Sequence, residues 1–153
     1  KGGGYRHPSS EETLREKVVD EYGNIRSDEQ GYMQGGDVFN FVIREIPRDI
    51  KKTLEYAGDT ADSFDYIVFH QANNFINAYI AKKMKLDTDK IPSTIAKYGN
   101  TSSVSVPLTI VSELKDRLYG NKKLLLSAFG VGMTWATGIV PFVDCKISDI
   151  VEV

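Results

Sequence analysis

Residues 64–73 have the sequence FDYIVFHQAN, and this stretch decides how the chain folds. Its first six residues predict a strand, and the continuous apolar run from Tyr66 to Phe69 predicts burial on both faces. Polar residues follow at once, from His70 to Asn73, at the point where a buried strand leaves its sheet. Connections of this kind often hold functional side chains, because a rigid sheet positions them.

The sequence on both sides of this stretch predicts helices and two more strands. Pro47 is expected to kink or restart the first of these helices, which has Asp37 as its N-cap and ends at Gly58. The helix that follows the first strand is expected to bury Phe75, Ile76, Tyr79 and Ile80. The predicted elements are helices at 37–57, 73–84 and 103–119, and strands at 64–69, 124–129 and 134–143.

The last two predicted strands are close enough in sequence to form an antiparallel pair across a glycine turn. The order of elements is helix, strand, helix, helix, strand, strand. This order predicts an α/β fold, with a mixed sheet covered by helices.

Residues 1–30 are expected to form an irregular lead-in with a short surface helix. Glycines and a proline break the pattern at its start. The helix is predicted from Ser10 to Tyr22, with Ser9 as its N-cap and Glu12 completing a capping box. Gly23 is expected to end it in a left-handed conformation.

Composition excludes several classes of protein. The 153 residues include 19 basic and 21 acidic side chains, and the net charge of −2 lacks the basic excess of a nucleic-acid-binding protein. The longest apolar runs are about five or six residues, far below a membrane span. Cys145 is the single cysteine, so no internal disulfide can form, and a reducing, cytoplasmic setting is expected. The absence of an initiator methionine at Lys1 suggests a piece of a larger protein.

Three polar or glycine-rich clusters could hold chemistry: residues 70–73, 99–103 and 130–132. A neutral histidine and an asparagine amide, here His70 and Asn100, can donate two hydrogen bonds to one oxyanion. The glycine turn could add a backbone donor. Each cluster alone also has a simpler interpretation: a structural histidine, a turn or cap asparagine, and a tight connection between strands. Cys145 has no nearby base or helix start and is expected to be inert.

Taken together, the clusters resemble the C-terminal half of a β-ketoacyl-acyl-carrier-protein synthase III, a condensing enzyme of the thiolase superfamily. The resemblance covers roughly residues 31–143 and implies a thiolase-like half-domain over residues 31–153. The motifs that match are Tyr32-Met33, His70-Gln71-Ala72-Asn73, Tyr98-Gly99-Asn100-Thr101-Ser102 and Ala128-Phe129-Gly130-Val131-Gly132-Met133-Thr134-Trp135.

The resemblance implies a Cys-His-Asn mechanism, in which a cysteine-bound acyl group is attacked by the carbanion formed when a malonyl thioester loses carbon dioxide. His70 and Asn100 match the histidine and asparagine that stabilise the malonyl enolate. Gly132 matches the glycine whose backbone N–H contributes to the oxyanion hole. The nucleophilic cysteine belongs to the family's N-terminal half, and no residue here matches it.

The resemblance also implies the partners. These are acyl-coenzyme A or acyl-carrier protein, malonyl-carrier protein, the N-terminal half, and a second copy in a homodimer. No cofactor, metal ion, nucleic acid or membrane is expected.

Two departures each leave an alternative function open: Phe75 favours the first alternative below, and the missing nucleophilic cysteine favours the second. Phe75 stands where family members often have an arginine associated with carrier-protein docking. The alternatives are a related condensing enzyme or acyltransferase of secondary metabolism, and a non-catalytic partner subunit.

Overall fold

The structure is a computed structural model that describes residues 7–17, 19–31 and 33–151. Expectations that fall on other residues, among them the glycines at 2–4 and Tyr32 of the Tyr-Met motif, lie outside this range. The chain divides into two compact units between Gly36 and Asp37. The elements are α1 (Glu11–Leu14), α2 (Gly35–Ala57), β1 (Tyr66–Phe69), α3 (Asn74–Met84), α4 (Ile95–Tyr98), α5 (Ser105–Leu114), β2 (Asn121–Gly130) and β3 (Thr134–Val143).

In the first unit the predicted helix is much shorter than expected. Helix α1 has only four residues, and its N-cap is Ser10 rather than Ser9. The capping box pairs Ser10 with Thr13 rather than with Glu12. The prediction of a helix to Tyr22 was wrong, because the later backbone pairs with a returning segment instead. An antiparallel bridge joins Val19 to Ile25.

Gly23 lies in the turn of that returning segment rather than at a helix end. Its φ of +81° is in the left-handed region that favours glycine. The turn is closed by Asp20, whose backbone N–H donates to the Asn24 carbonyl at 2.9 Å and whose carbonyl accepts from Gly23 at 2.9 Å.

The second unit contains a mixed sheet with the order β1-β2-β3. Strand β1 is parallel to β2, with Tyr66 opposite Leu124. Strands β2 and β3 are antiparallel over their whole length, from the Asn121–Val143 pair to the Gly130–Thr134 pair. The structure confirms the predicted hairpin and the mixed α/β architecture.

The sheet is covered on both faces, as the apolar run of β1 predicts. On one face Ile67, Phe69 and Leu125 pack in a core cluster with α2 and α3. On the other face Val68 and Leu124 pack with α5 and the residues just after it. Neighbouring strand residues therefore point to opposite cores.

Helix α2 differs from the prediction at its start and at Pro47. It begins at Gly35, so Asp37 lies in its first turn and is not the residue before it. The helix runs through Pro47 without restarting. Burial of an apolar face on both sides of the proline, including Val42 and Ile50, outweighs the one hydrogen bond that proline cannot donate. Gly58, with a φ of +69°, follows the last turn as expected.

Helix α3 buries only some of the residues predicted, and α5 is shorter than predicted. Ile76 and Ile80 of α3 are buried, as predicted. Phe75 is 68% exposed and Tyr79 is 37% exposed, so the prediction that these two residues are buried was wrong. The predicted helix at 103–119 is a ten-residue α5, with a turn of 3-10 helix before it and another after it. Helix α4 was not predicted. No helix in the described part of the chain is both long and apolar enough to cross a membrane.

Candidate active site

His70 lies directly after β1, where its backbone extends the parallel pairing by donating to the Ser127 carbonyl at 2.9 Å. Its ring Nδ1 lies 2.6 Å from the Ser105 hydroxyl oxygen at the start of α5. The ring also meets the Phe129 ring of β2 edge to face, with centroids 5.1 Å apart. The imidazole is thus held between a helix and a strand.

The surroundings of His70 keep its ring neutral. Burial lowers the pKa of His70 below its ordinary value, because a charged imidazolium loses hydration there. Its described contacts are a hydroxyl group and an aromatic ring, and neither has a negative charge that would favour the protonated ring. A neutral imidazole has one N–H donor and one bare nitrogen, and either ring nitrogen can take either role.

The residues after His70 are tied down by their own hydrogen bonds. Asn73 is the N-cap of α3, and its side-chain oxygen accepts from the Ile76 N–H at 2.8 Å. Asn77, one turn into α3, donates from Nδ2 to the His70 carbonyl at 3.2 Å. Gln71 is fully buried and donates from Nε2 to the Phe69 carbonyl at 2.8 Å. The His-Gln-Ala-Asn motif is therefore a fixed connection between β1 and α3.

Asn100 lies in the exposed connection between α4 and α5. Gly99 before it has a φ of 65° and a ψ of −152°, a conformation essentially restricted to glycine. The Asn100 Oδ1 accepts from the Ser102 N–H at 2.9 Å, so its amide nitrogen points away from that contact. Among the described residues Nδ2 has no hydrogen-bond acceptor, and both of its N–H groups remain available to donate.

Gly132 lies in the three-residue turn between β2 and β3. Its φ of +81° is in the left-handed region, and Met133 follows with a φ of 53°. The Thr134 hydroxyl braces the turn by donating to the Val131 carbonyl at 3.0 Å. Gly132 as a whole is exposed in this turn.

The structure places the three predicted residues on three separate segments, and no hydrogen bond joins any two of them. His70 contacts Ser105 and Phe129, but it has no hydrogen bond to Asn100 or to Gly132. Asn100 precedes Ser105 by five positions, and Gly132 follows Phe129 by three. Cys145 is exposed beyond the end of β3.

Sequence reasoning missed Ser105. It is 1% exposed, although serine is seldom so deeply buried. The signal that could have found it is a serine in the first turn of a mostly apolar helix segment, SVPLTIV, close after the Asn100 loop.

The layered architecture, with polar connections at the end of β1 and before α5, is a thiolase-like α/β fold. The profile of the family described as 3-Oxoacyl-[acyl-carrier-protein (ACP)] synthase III C terminal matches residues 54–142. The chain belongs to this family, which confirms the resemblance drawn from its motifs.

Several relatives share this similarity. The beta-ketoacyl-[acyl-carrier-protein] synthase III of Streptococcus gordonii is 44% identical over 112 residues, which cover 71% of this chain and 34% of the relative. The enzyme of the same name from Lactococcus lactis subsp. cremoris is 37% identical over 111 residues, with the same coverage of both chains. This chain spans about a third of the length of these curated relatives.

Solved structures show the same fold. A 3-oxoacyl-(acyl-carrier protein) synthase from Burkholderia xenovorans superposes with a TM-score of 0.76 and 42% identity, covering 81% of this chain and 36% of that one. The synthase III from Thermus thermophilus gives a TM-score of 0.69 and 28% identity, covering 89% of this chain and 42% of that one.

Proposed function

We propose that this chain is the C-terminal catalytic part of an acyltransferase that joins an acyl thioester to a malonyl thioester by decarboxylative Claisen condensation in fatty acid biosynthesis. The observation that supports the proposal most is His70, a neutral, half-buried imidazole held at the end of β1 within a matched family domain. In this proposal residues 31–153 form a thiolase-like half-domain, and residues 1–30 form a lead-in.

His70 and Asn100 stabilise the malonyl enolate. When the bond between the malonyl α-carbon and its carboxylate breaks, its electron pair moves onto the thioester oxygen and carbon dioxide leaves. An imidazole N–H and the free Asn100 amide lower the energy of that negative charge. The enolate carbon then attacks the acyl carbonyl, and the cysteine thiolate leaves as the new carbon–carbon bond forms.

Gly132 contributes its backbone N–H to the acyl oxyanion hole. The nucleophilic cysteine comes from the N-terminal half, outside this chain. Cys145 does not suit that role, because it is exposed past the end of β3. The proposed partners are acyl-coenzyme A or acyl-carrier protein, malonyl-carrier protein, the N-terminal half and a second copy of the enzyme. A reducing cytoplasm suits a chain with one exposed cysteine and no disulfide.

Substitution of His70 in the full-length enzyme tests the proposal. We expect His70→Ala to slow decarboxylation of malonyl-carrier protein by about a hundred- to a thousandfold, as loss of one oxyanion donor commonly does. Asn100→Ala should have a comparable effect. Asn121→Ala is a matched control, because Asn121 is exposed at the opposite end of β2 from Gly130. Decarboxylation at the parent rate in His70→Ala would contradict the proposal.

One observation favours a related condensing enzyme of secondary metabolism as a second candidate. Phe75 stands at the position of the docking arginine and presents an exposed ring, stacked on Phe39 at 5.7 Å, in place of a positive charge. This candidate predicts comparable condensation rates with coenzyme A thioesters and with carrier-bound substrates. It also predicts that Phe75→Arg raises the rate with carrier-bound substrates. A strict requirement for carrier protein in the parent enzyme would count against it.

A further inference from the structure

Ser105 has a hydrogen-bond arrangement that a purely structural serine does not need. It is 1% exposed, and its hydroxyl oxygen lies 2.6 Å from His70 Nδ1. The same oxygen accepts from the Gln71 backbone N–H at 3.3 Å. No other described group accepts a hydrogen bond from this hydroxyl.

Counting hydrogen atoms decides the direction of the bond between Ser105 and His70. The Gln71 N–H can only donate, so the serine oxygen is an acceptor in that contact. If Nδ1 also carried a proton, the hydroxyl hydrogen would be buried without an acceptor, which is unfavourable because the group would lose its hydration and gain no partner. Every polar group in the contact has a partner when the hydroxyl donates to an unprotonated Nδ1. A neutral imidazole then has its proton on Nε2.

We infer that Ser105 is a positioning residue that holds His70 in the Nε2–H form, so that the ring presents a donor where the enolate oxygen develops. The catalytic part of this inference rests on the proposed function. In the opposite form Nε2 would present a lone pair to a negatively charged oxygen and repel it.

Buried hydrogen bonds fix the position of Ser105 itself. Thr109, one turn later in α5, donates to the Ser105 carbonyl at 2.8 Å and pairs through its hydroxyl with that of Thr94 at 2.9 Å. The Thr94 N–H donates to the Gln71 side-chain oxygen at 3.0 Å, and the Gln71 N–H returns to Ser105. These four residues are at most 1% exposed and form a closed ring that ties α5 to the residue after His70.

Nitrogen-15 NMR of the histidine ring in the full-length protein tests the inference without measuring activity. The parent should show His70 with an unprotonated Nδ1 and a protonated Nε2. Ser105→Ala should lose this preference and show a mixture or the Nδ1–H form. Ser105→Thr, which keeps a hydroxyl group, should restore the parent pattern.

Ser127→Ala is the matched control for a general loss of stability. It removes another buried hydroxyl, which pairs with the Thr137 hydroxyl at 3.0 Å, but leaves the ring of hydrogen bonds around Ser105 and the bond between Ser105 and His70 in place. We expect it to lower stability while keeping the Nε2–H form. An Nδ1–H form in the parent, or an unchanged parent pattern in Ser105→Ala, would overturn the inference.

Kinetics then link the tautomer to catalysis. We expect Ser105→Ala to lower the kcat of malonyl decarboxylation by about tenfold, the equivalent of one modest hydrogen bond, with little change in KM. If His70→Ala leaves decarboxylation unchanged, the proposed function fails, yet the NMR result still decides the tautomer. If the tautomer changes in Ser105→Ala while kcat stays at the parent value, the positioning role fails on its own.

Discussion

At the scale of single residues, burial and hydrogen bonding have separate effects on His70: one acts on the charge of the ring and the other on its tautomer. Burial lowers the pKa of His70 and keeps the ring neutral, whereas the Ser105 contact addresses which nitrogen holds the proton. A neutral ring alone would be an acceptor as readily as a donor. Sequence reasoning found the histidine from its place after a buried strand, but the serine is 35 positions away and only the folded chain brings it near.

The lowered pKa of His70 predicts how stability depends on pH. Because the folded pKa is below the ordinary value of about 6.5, the unfolded chain binds a proton first as pH falls. His70 therefore costs stability below about pH 6.5, and the loss stops growing once pH is below the folded pKa. The free energy of unfolding should fall less steeply over this window in His70→Gln. An equally steep fall in the variant and the parent would contradict this prediction.

Gly132 gives a second prediction at the residue scale. Gly132→Ala places a Cβ in the left-handed region, which costs about 1–2 kcal/mol. The cost comes from backbone strain rather than a clash, because the new Cβ would lie 3.8 Å from Thr134 Cγ2. Gly130→Ala, in the same hairpin but without a positive φ, should be neutral or slightly stabilising. Chemical denaturation of both variants checks the difference, and equal stabilities would show that the turn is not strained.

At the scale of elements, tertiary burial explains most departures from the predicted boundaries. Helix α2 continues through Pro47 because its buried face extends on both sides of it. Helix α1 ends well before the predicted Tyr22 because it has almost no apolar face to bury. Thr13 is its only buried residue. Capping signals could be recognised in both regions, but the exact N-cap depends on which side chain meets which backbone N–H.

The N-cap of α3 provides a prediction at the element scale. Asn73→Ala removes the acceptor for the Ile76 N–H and should cost about 1 kcal/mol of unfolding free energy. Asn73→Ser should recover most of that loss, since serine caps equally well. The local effect should appear as faster amide hydrogen exchange in the first turn of α3. Exchange at the parent rate in Asn73→Ala would show that the cap does not hold the turn.

At the scale of the whole molecule, strand β3 leaves apolar surface uncovered. In the described sheet β3 pairs with β2 alone and forms one edge. Trp135 is 43% exposed, Val143 is 59% exposed and Val131, in the preceding turn, is 98% exposed. Unpaired edge strands with apolar side chains promote association with other chains.

We therefore predict that this chain expressed alone self-associates at tens of micromolar, as measured by sedimentation velocity. Val143→Lys should reduce the association, because a charge on an edge strand opposes pairing with another strand. Tyr56→Lys is the control, since Tyr56 is 96% exposed but belongs to helix α2 and not to an edge strand. A clean monomer in the parent chain would contradict the prediction.

The sequence by itself determined the order of the strands and of the longer helices, the burial of β1 on both faces, the antiparallel hairpin and the family, because these depend on local periodicity and on motifs in a fixed order. Local patterns also identified His70, Asn100 and Gly132 as candidates, since each follows or precedes a predictable element. The tertiary structure decided the length of α1, the continuity of α2, the exposure of Phe75 and the contact of Ser105 with His70. These depend on which distant groups share a buried space, and no periodicity within one segment encodes that.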